Sequence, residues 1–145
     1  MKQLLLITCL TLLGICQHRA VYGQNTELEG TWVLIKVELN TVSKNGDTTS
    51  VAYAKGKYAN TTSCIYRSLS FNNDQCSIIG DDNIKSDIDF KLKNNILSLW
   101  FTAPIEFEYE IMPNGDLRLS RKHNEYNSVL SESLIFISNL IYTRK

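Results

Sequence analysis

Once residues 1 to 23 are set aside, His123 is the one histidine left in the chain, standing between Lys122 and Asn124 in a polar stretch. A lone imidazole without a second histidine, and with the cysteines far from it in sequence, lacks the parts of a zinc site or of a Cys–His nucleophile. A surface position is expected for it, and no metal site. Carboxylates fall into two clusters, Asp87 with Asp89 and Glu106 with Glu108 and Glu110. Glycoside hydrolysis would need two carboxyl groups facing a cleft at a fixed separation. Period-two spacing instead lays each set along the polar face of a strand, where Lys85, Lys91, Arg118 or Lys122 can pair with it across strands. No nucleophile–base pair, metal set or cofactor motif is visible, so the reading is a non-enzymatic protein with no catalytic residue and no cofactor. Arg121 stands out. It shares parity with Leu117 and Leu119, so it either points inward, where it could meet the carboxylate of a lipid-like ligand, or reaches solvent at a strand end.

The N-terminus sets the compartment. Met1-Lys2 is a basic start, Leu4 to Ile15 an apolar run, and Val21-Tyr22-Gly23 a run of residues suited to a cut. The run is too short to span a membrane, which takes roughly 20 residues. Residues 1–23 read as a secretory signal peptide and Gln24 as the mature N-terminus. A rival reading acylates Cys16 as a lipoprotein anchor, but Ile15 is a poor residue at the position before the cysteine. Export to the periplasm or the extracellular space is expected, and no later segment approaches membrane-spanning length.

Residues 24–145 suffice for one domain and one core. The chain has 15 basic and 15 acidic residues, and loss of Lys2 and Arg19 leaves a net charge of about −2. Nothing here is basic enough for a nucleic-acid partner. Cys9 and Cys16 leave with the leader, and Cys64 and Cys76 remain. An oxidising compartment permits a bridge between them, but a turn at Asn72 to Gln75 would place Cys76 opposite Phe71, with Cys64 several residues further along. A bridge would then need a bulge or a wider loop.

Short apolar alternations separated by turn residues run through the whole chain. Thr31 to Asn40 reads as a strand, Asn45-Gly46-Asp47 as a turn, and Thr48 to Thr62 as a long excursion, with a hairpin across one barrel end as one reading. Cys64 to Phe71, Gln75 to Ile79, Ile84 to Lys93 and Ile96 to Phe101 follow as strands. Ile105 to Ile111 alternates most cleanly, Leu117 to Lys122 pairs back after Pro113-Asn114-Gly115-Asp116, and Leu134 to Tyr142 is last. His123 to Ser131 reads as a polar connection. No stretch has helical apolar spacing. The pattern predicts an all-β fold, a single antiparallel up-and-down barrel of about eight strands without a C-terminal helix, and a two-sheet sandwich is the competitor. Asn60-Thr61-Thr62 matches a glycosylation sequon and Asp47-Thr48-Thr49 resembles a bacterial O-glycosylation site, both short patterns.

Gly30-Thr31-Trp32, opening the first strand, resembles the Gly-x-Trp signature of lipocalins. Ser68-Leu69-Ser70-Phe71-Asn72-Asn73-Asp74 and the ending Tyr142-Thr143-Arg144 are similar to the short bacterial lipocalin-like domains of envelope proteins. The resemblance implies that Trp32 lies at the closed end of a barrel under an arginine from the last strand. In a closed even-stranded meander, the start of the first strand lies beside the end of the last. Arg144, or failing it Arg121, is therefore expected over Trp32, with Gly30 in a structural role. The Arg-x-Tyr carboxylate clamp of fatty-acid-binding proteins does not transfer, because the order here is Tyr142-x-Arg144.

Phe90, Trp100, Phe101, Phe107, Tyr109 and Phe136 are enough aromatics either to line a cavity or to fill a core. Phe90, Phe101, Phe107, Tyr109, Arg121 and Phe136 are the candidate ligand-binding residues. Two functions stay open: a barrel holding a small apolar or amphipathic ligand, and an envelope interaction module with a filled core. The partner protein of the second is unspecified.

Overall fold

The computed structural model describes residues 27–54, 66–128 and 131–145. Residues 1–23, read above as a leader and including Cys16, lie outside them, as do Gln24, Asn60, Cys64 and the second half of the Thr48–Thr62 excursion. Nine strands and no helix make up the described chain: β1 (Gly30–Val42), β2 (Thr48–Ala54), β3 (Tyr66–Asn72), β4 (Gln75–Gly80), β5 (Lys85–Lys93), β6 (Ile96–Trp100), β7 (Pro104–Ile111), β8 (Leu117–Asn127) and β9 (Glu132–Arg144). Among the described residues no helix is long and apolar enough to cross a membrane.

From β3 to β9 each strand pairs antiparallel with the next, and β9 returns to β1. Eight strands thus close an up-and-down barrel, with β2 as an extra strand. A sandwich is ruled out by this unbroken pairing. The turn residues explain the hairpins. Asn73 and Asn94 adopt φ of 52° and 57°, and Gly115 of 85°, a region that asparagine tolerates and glycine enters freely. The Asn72–Gln75 turn brings Phe71 opposite Cys76.

Two bulges set which residues face the core. Between Leu34 and Lys36 the β1–β9 register slips by one residue, and between Tyr66 and Ser68 the β3–β4 register does the same. Strict alternation from Trp32 and Leu34 would turn Lys36 inward. The extra residue Ile35 reverses the parity, so Val37 is buried instead. In β3 the bulged Arg67 turns outward to Asp81 and Asn83, while Tyr66 and Leu69 both stay buried.

The β1 bulge also marks a change of neighbour. Before it, Gly30 to Val33 pair with β3. After it, Lys36 to Val42 pair with β2 on one edge and β9 on the other. Because β1, β8 and β9 outrun the other strands, their far halves and β2 form a four-stranded wall in the order β2-β1-β9-β8, standing above the barrel body.

The body is packed. Trp32, Leu34, Val37, Leu69, Phe71, Cys76, Leu97, Leu99, Phe107, Leu117, Leu119, Leu140 and Tyr142 form one buried cluster. The buried Tyr142 hydroxyl donates to the Tyr66 carbonyl at 3.0 Å, which ties β9 to β3 through the interior. Phe71 and Phe90 meet edge to face at 5.0 Å. Packing of this kind leaves the barrel centre filled.

The closed end is sealed by the residues of the resemblance. Trp32 Nε1 donates to the Leu28 carbonyl at 2.8 Å, and Leu28 is itself fully buried. Trp32 is the register partner of Arg144, whose guanidinium lies 4.5 Å over the indole, well inside the cation–π range. Arg144 also donates to the Glu27 carbonyl at 2.6 Å, and the Lys145 amide donates to the Thr31 carbonyl. Gly30 has φ of 109° with nothing near its missing Cβ, so backbone conformation, not crowding, selects glycine there.

Several strand limits move from those read in the sequence. His123 to Asn127, read as part of a polar connection, continue β8 and pair with Phe136 to Glu132. Their side chains carry no apolar alternation, and the long β9 supplies the pairing that makes them a strand. Ile84 precedes β5 and is 63% exposed. Phe101 lies in the bend after β6, outside the strand.

Candidate functional site

Register defines the concave face of the four-stranded wall. Tyr53, Val37, Leu140 and Leu119 form one row across it, continuous with the packed body. The next row outward is Val51, Leu39, Ser138 and Arg121, and the one beyond is Thr49, Thr41, Phe136 and His123. Glu125 sits one step further out, opposite Leu134. Apolar content falls away row by row toward the rim.

Above the filled body these rows enclose a cleft of about 560 Å³. Phe107 and Leu140, both almost fully buried, are part of its lining, with Tyr53, Val51 and Leu39 on one side and Arg121, His123 and Glu125 on the other. The volume falls within the range of small-molecule sites, roughly 300–1,000 Å³. Phe136 and His123 stack with ring centroids 5.2 Å apart and planes within 15°. Ser138 Oγ donates to the Arg121 carbonyl at 3.4 Å, fastening β9 to β8 at the Arg121 row.

Of the six candidate ligand residues, Phe107, Arg121 and Phe136 line this cleft. The other three lie elsewhere. Phe90 packs on Phe71 in the body. Tyr109 is half-buried beside the core, its hydroxyl donating to the Asn94 carbonyl near the closed end. Phe101, 38% exposed, stacks at 5.9 Å on Tyr66, which is buried at the start of β3. Trp100 faces outward, with Lys91 Nζ 5.1 Å from its ring. A strand ending in Leu99-Trp100-Phe101 offers three large apolar residues in a row, and alternation can bury only some of them.

His123 is exposed, as its sequence surroundings imply, and Val51 to Ala54 can be read as a strand, but neither the place of His123 at the cleft nor the pairing of β2 with β1 is readable in the sequence. The only signal for His123 was its shared parity with Arg121, obscured by the polar residues around it. For β2, Val51-Ala52-Tyr53-Ala54 was suggestive without fixing a partner.

The remaining chemistry-bearing groups stay apart. Asp87 accepts from Ser77 Oγ and pairs with Lys85, and the Ser77 hydrogen bond holds its carboxyl below the usual range. Glu110 pairs with Arg118, and Glu106 accepts from Ser98. These carboxylates line the outside of the barrel. Among the described residues no group of His, Cys, Asp and Glu could hold a metal. Cys76 is a free, buried thiol, and burial pushes it up to about 12. It sits in the packed body, far from thiolate chemistry at neutral pH.

No family model matches the chain, and no curated protein and no solved structure matches it. The fold and the cleft therefore carry the functional reading by themselves.

Proposed function

We propose that this is an exported, non-enzymatic lipocalin-like barrel that binds a small apolar or amphipathic molecule in the cleft at its open end. The observation that carries the reading is the cleft itself, about 560 Å³ of space resting on Phe107 and Leu140 above a filled body. Binding there works by enclosure: apolar walls supply affinity and a few polar groups set orientation. The leader-like residues 1–23 support export, and Gly30-Thr31-Trp32 under Arg144 supports the lipocalin likeness.

Native mass spectrometry of the protein purified from its source tests this. A bound mass of a few hundred daltons, lost in Val51→Asp, is the expected result. Apo protein that also fails to take up any apolar probe would sink the reading. The same spectrum reports the mature mass, which should begin at Gln24. A mass carrying acyl chains on Cys16 would replace release by membrane anchoring.

The packed body favours a second reading, an interaction module whose wall meets another envelope component. A protein partner that remains bound when the cleft is blocked by Val51→Asp would support it over the first.

A further inference from the structure

The wall β2-β1-β9-β8 has two edges to which no further strand is paired among the described residues, and the two differ in kind. One is the far half of β8, Arg121 to Asn127, past the last β7 partner at Ser120. It carries Lys122, His123 and Glu125, and charge on an edge strand guards against pairing with another chain. The other edge is β2. Its sequence, Thr48-Thr49-Ser50-Val51-Ala52-Tyr53-Ala54, holds no charge, no proline and no glycine. Its register with β1 runs unbroken from Thr48 opposite Val42 to Ala54 opposite Lys36. Thr48 to Ala52 are exposed, Val51 to 44%. Thr, Val and Tyr favour strands, so β2 is a regular, neutral edge that carries none of the usual guards.

We propose that the β2 edge pairs antiparallel with the β2 edge of a second copy of this chain, joining the two walls into one sheet about a two-fold axis. The symmetry fixes the register. Opposed residues in an antiparallel pair point to the same face, so the axis must set one residue opposite its own copy. Full overlap of Thr48–Ala54 puts the axis at Val51. Val51 then stands opposite the partner's Val51, Thr49 opposite the partner's Tyr53 and Ser50 opposite the partner's Ala52. These are β-branched and aromatic pairs on one face and small pairs on the other, and no charge meets its like. Thr49, Val51 and Tyr53 line the cleft. An axis perpendicular to the sheet therefore leaves both clefts on one side and makes their walls continuous. It also sends the two barrel bodies to opposite ends of the shared sheet. A second copy is the occupant that suits this edge because the strand is self-complementary. Pairing of β2 with β8 of another copy would set neutral residues against Lys122 and Glu125, and would repeat head to tail without the closure that a two-fold gives. The pairing needs no ligand in the cleft, so it stands or falls apart from the ligand reading.

Sedimentation velocity of the purified protein over a concentration series reads the association. One short strand edge makes an interface at the small end of specific ones, so a dimer that dissociates on dilution is expected. S50K/A52K sets lysine opposite lysine at both symmetry-related places. It should weaken association by about tenfold, since like charges directly opposite each other repel. S50E/A52K sets glutamate opposite lysine at the same places and should restore the dimer. Both positions are exposed and lie off the cleft lining, and circular dichroism checks that each variant is folded. If S50K/A52K fails to fold, Val51→Cys decides. Mild oxidation should then link two copies through position 51, because the Cα atoms of opposed residues lie within disulfide reach. A monomer at every concentration would overturn the proposal. So would a dimer that neither double variant affects, assembly that grows past two copies, or a Val51→Cys variant that stays unlinked.

Discussion

The two ends of the barrel use similar side chains for opposite purposes. At the closed end an arginine and an aromatic ring, Arg144 and Trp32, meet at 4.5 Å, with Trp32 completely buried. At the open end Arg121, His123 and Phe136 line a space of about 560 Å³. The same residue types make a seal in one place and a lining in the other. The difference is the number of strands at each level. All eight barrel strands contribute side chains to the buried cluster that includes Trp32, so it is filled from every direction. From the Arg121 row outward β8 has no β7 partner and only β1, β2, β8 and β9 stay paired, and four strands cannot fill the space they curve around.

Substitutions at the two ends should therefore differ most in stability. Trp32→Ala removes the largest fully buried side chain and should cost about 3–5 kcal/mol in urea unfolding. Phe136→Ala, at a half-buried cleft position, should cost about 1 kcal/mol, the centre of ordinary point-mutant effects. Equal losses would mean that the cleft is as firmly packed as the seal, and the contrast would fail.

The body also carries a pH signature. Burial raises the Cys76 thiol from 9.0 to about 12, so the unfolded chain releases this proton at lower pH than the native one. Its contribution is fully present below about pH 9 and is lost as pH rises from there through about 12. Cys76→Val should flatten the fall in urea midpoint across that window relative to the native protein. Parallel curves for the two proteins would show that the thiol is not buried as described.

Arg144→Gln isolates the seal. Loss of the charge over the indole should lower stability by about 0.5–2 kcal/mol, with a shift in Trp32 fluorescence, and Arg144→Lys should recover part of it. An unchanged emission spectrum would place the guanidinium away from the ring.

The smallest effect is expected at His123. His123→Ala should stay within about 0.5 kcal/mol of the native stability while weakening capture of an apolar probe in the cleft it lines. A large loss of stability would mean that the His123–Phe136 stack belongs to the core.

Much of the barrel is legible in the residues. Ile105, Phe107, Tyr109 and Ile111 alternating with glutamates can only be a half-buried strand, and Asn94-Asn95 and Asn114-Gly115 stand where the chain must turn. The Trp32–Arg144 contact is what the lipocalin resemblance implies, and closure with an even strand number permits it. The site is less legible. Phe107, Arg121 and Phe136 could be named from parity, but Phe90, Phe101 and Tyr109 share the same composition and lie in the body, at its flank or on the rim. Alternation says which side of a strand a residue faces. It does not say at what height along the barrel the residue sits.

The sequence by itself determined the strands, their turns and their antiparallel order, because these depend on local periodicity and on residues that tolerate unusual φ. It determined the outer carboxylates as a solvated face for the same reason. The tertiary structure alone decided where the barrel stops being full. That depends on the Ile35 bulge, on β2 joining β1 beyond it, and on a polar stretch from His123 to Asn127 held as strand by its neighbour. Each is a pairing between distant residues, and hydrogen bonds between backbones leave no mark on side-chain type.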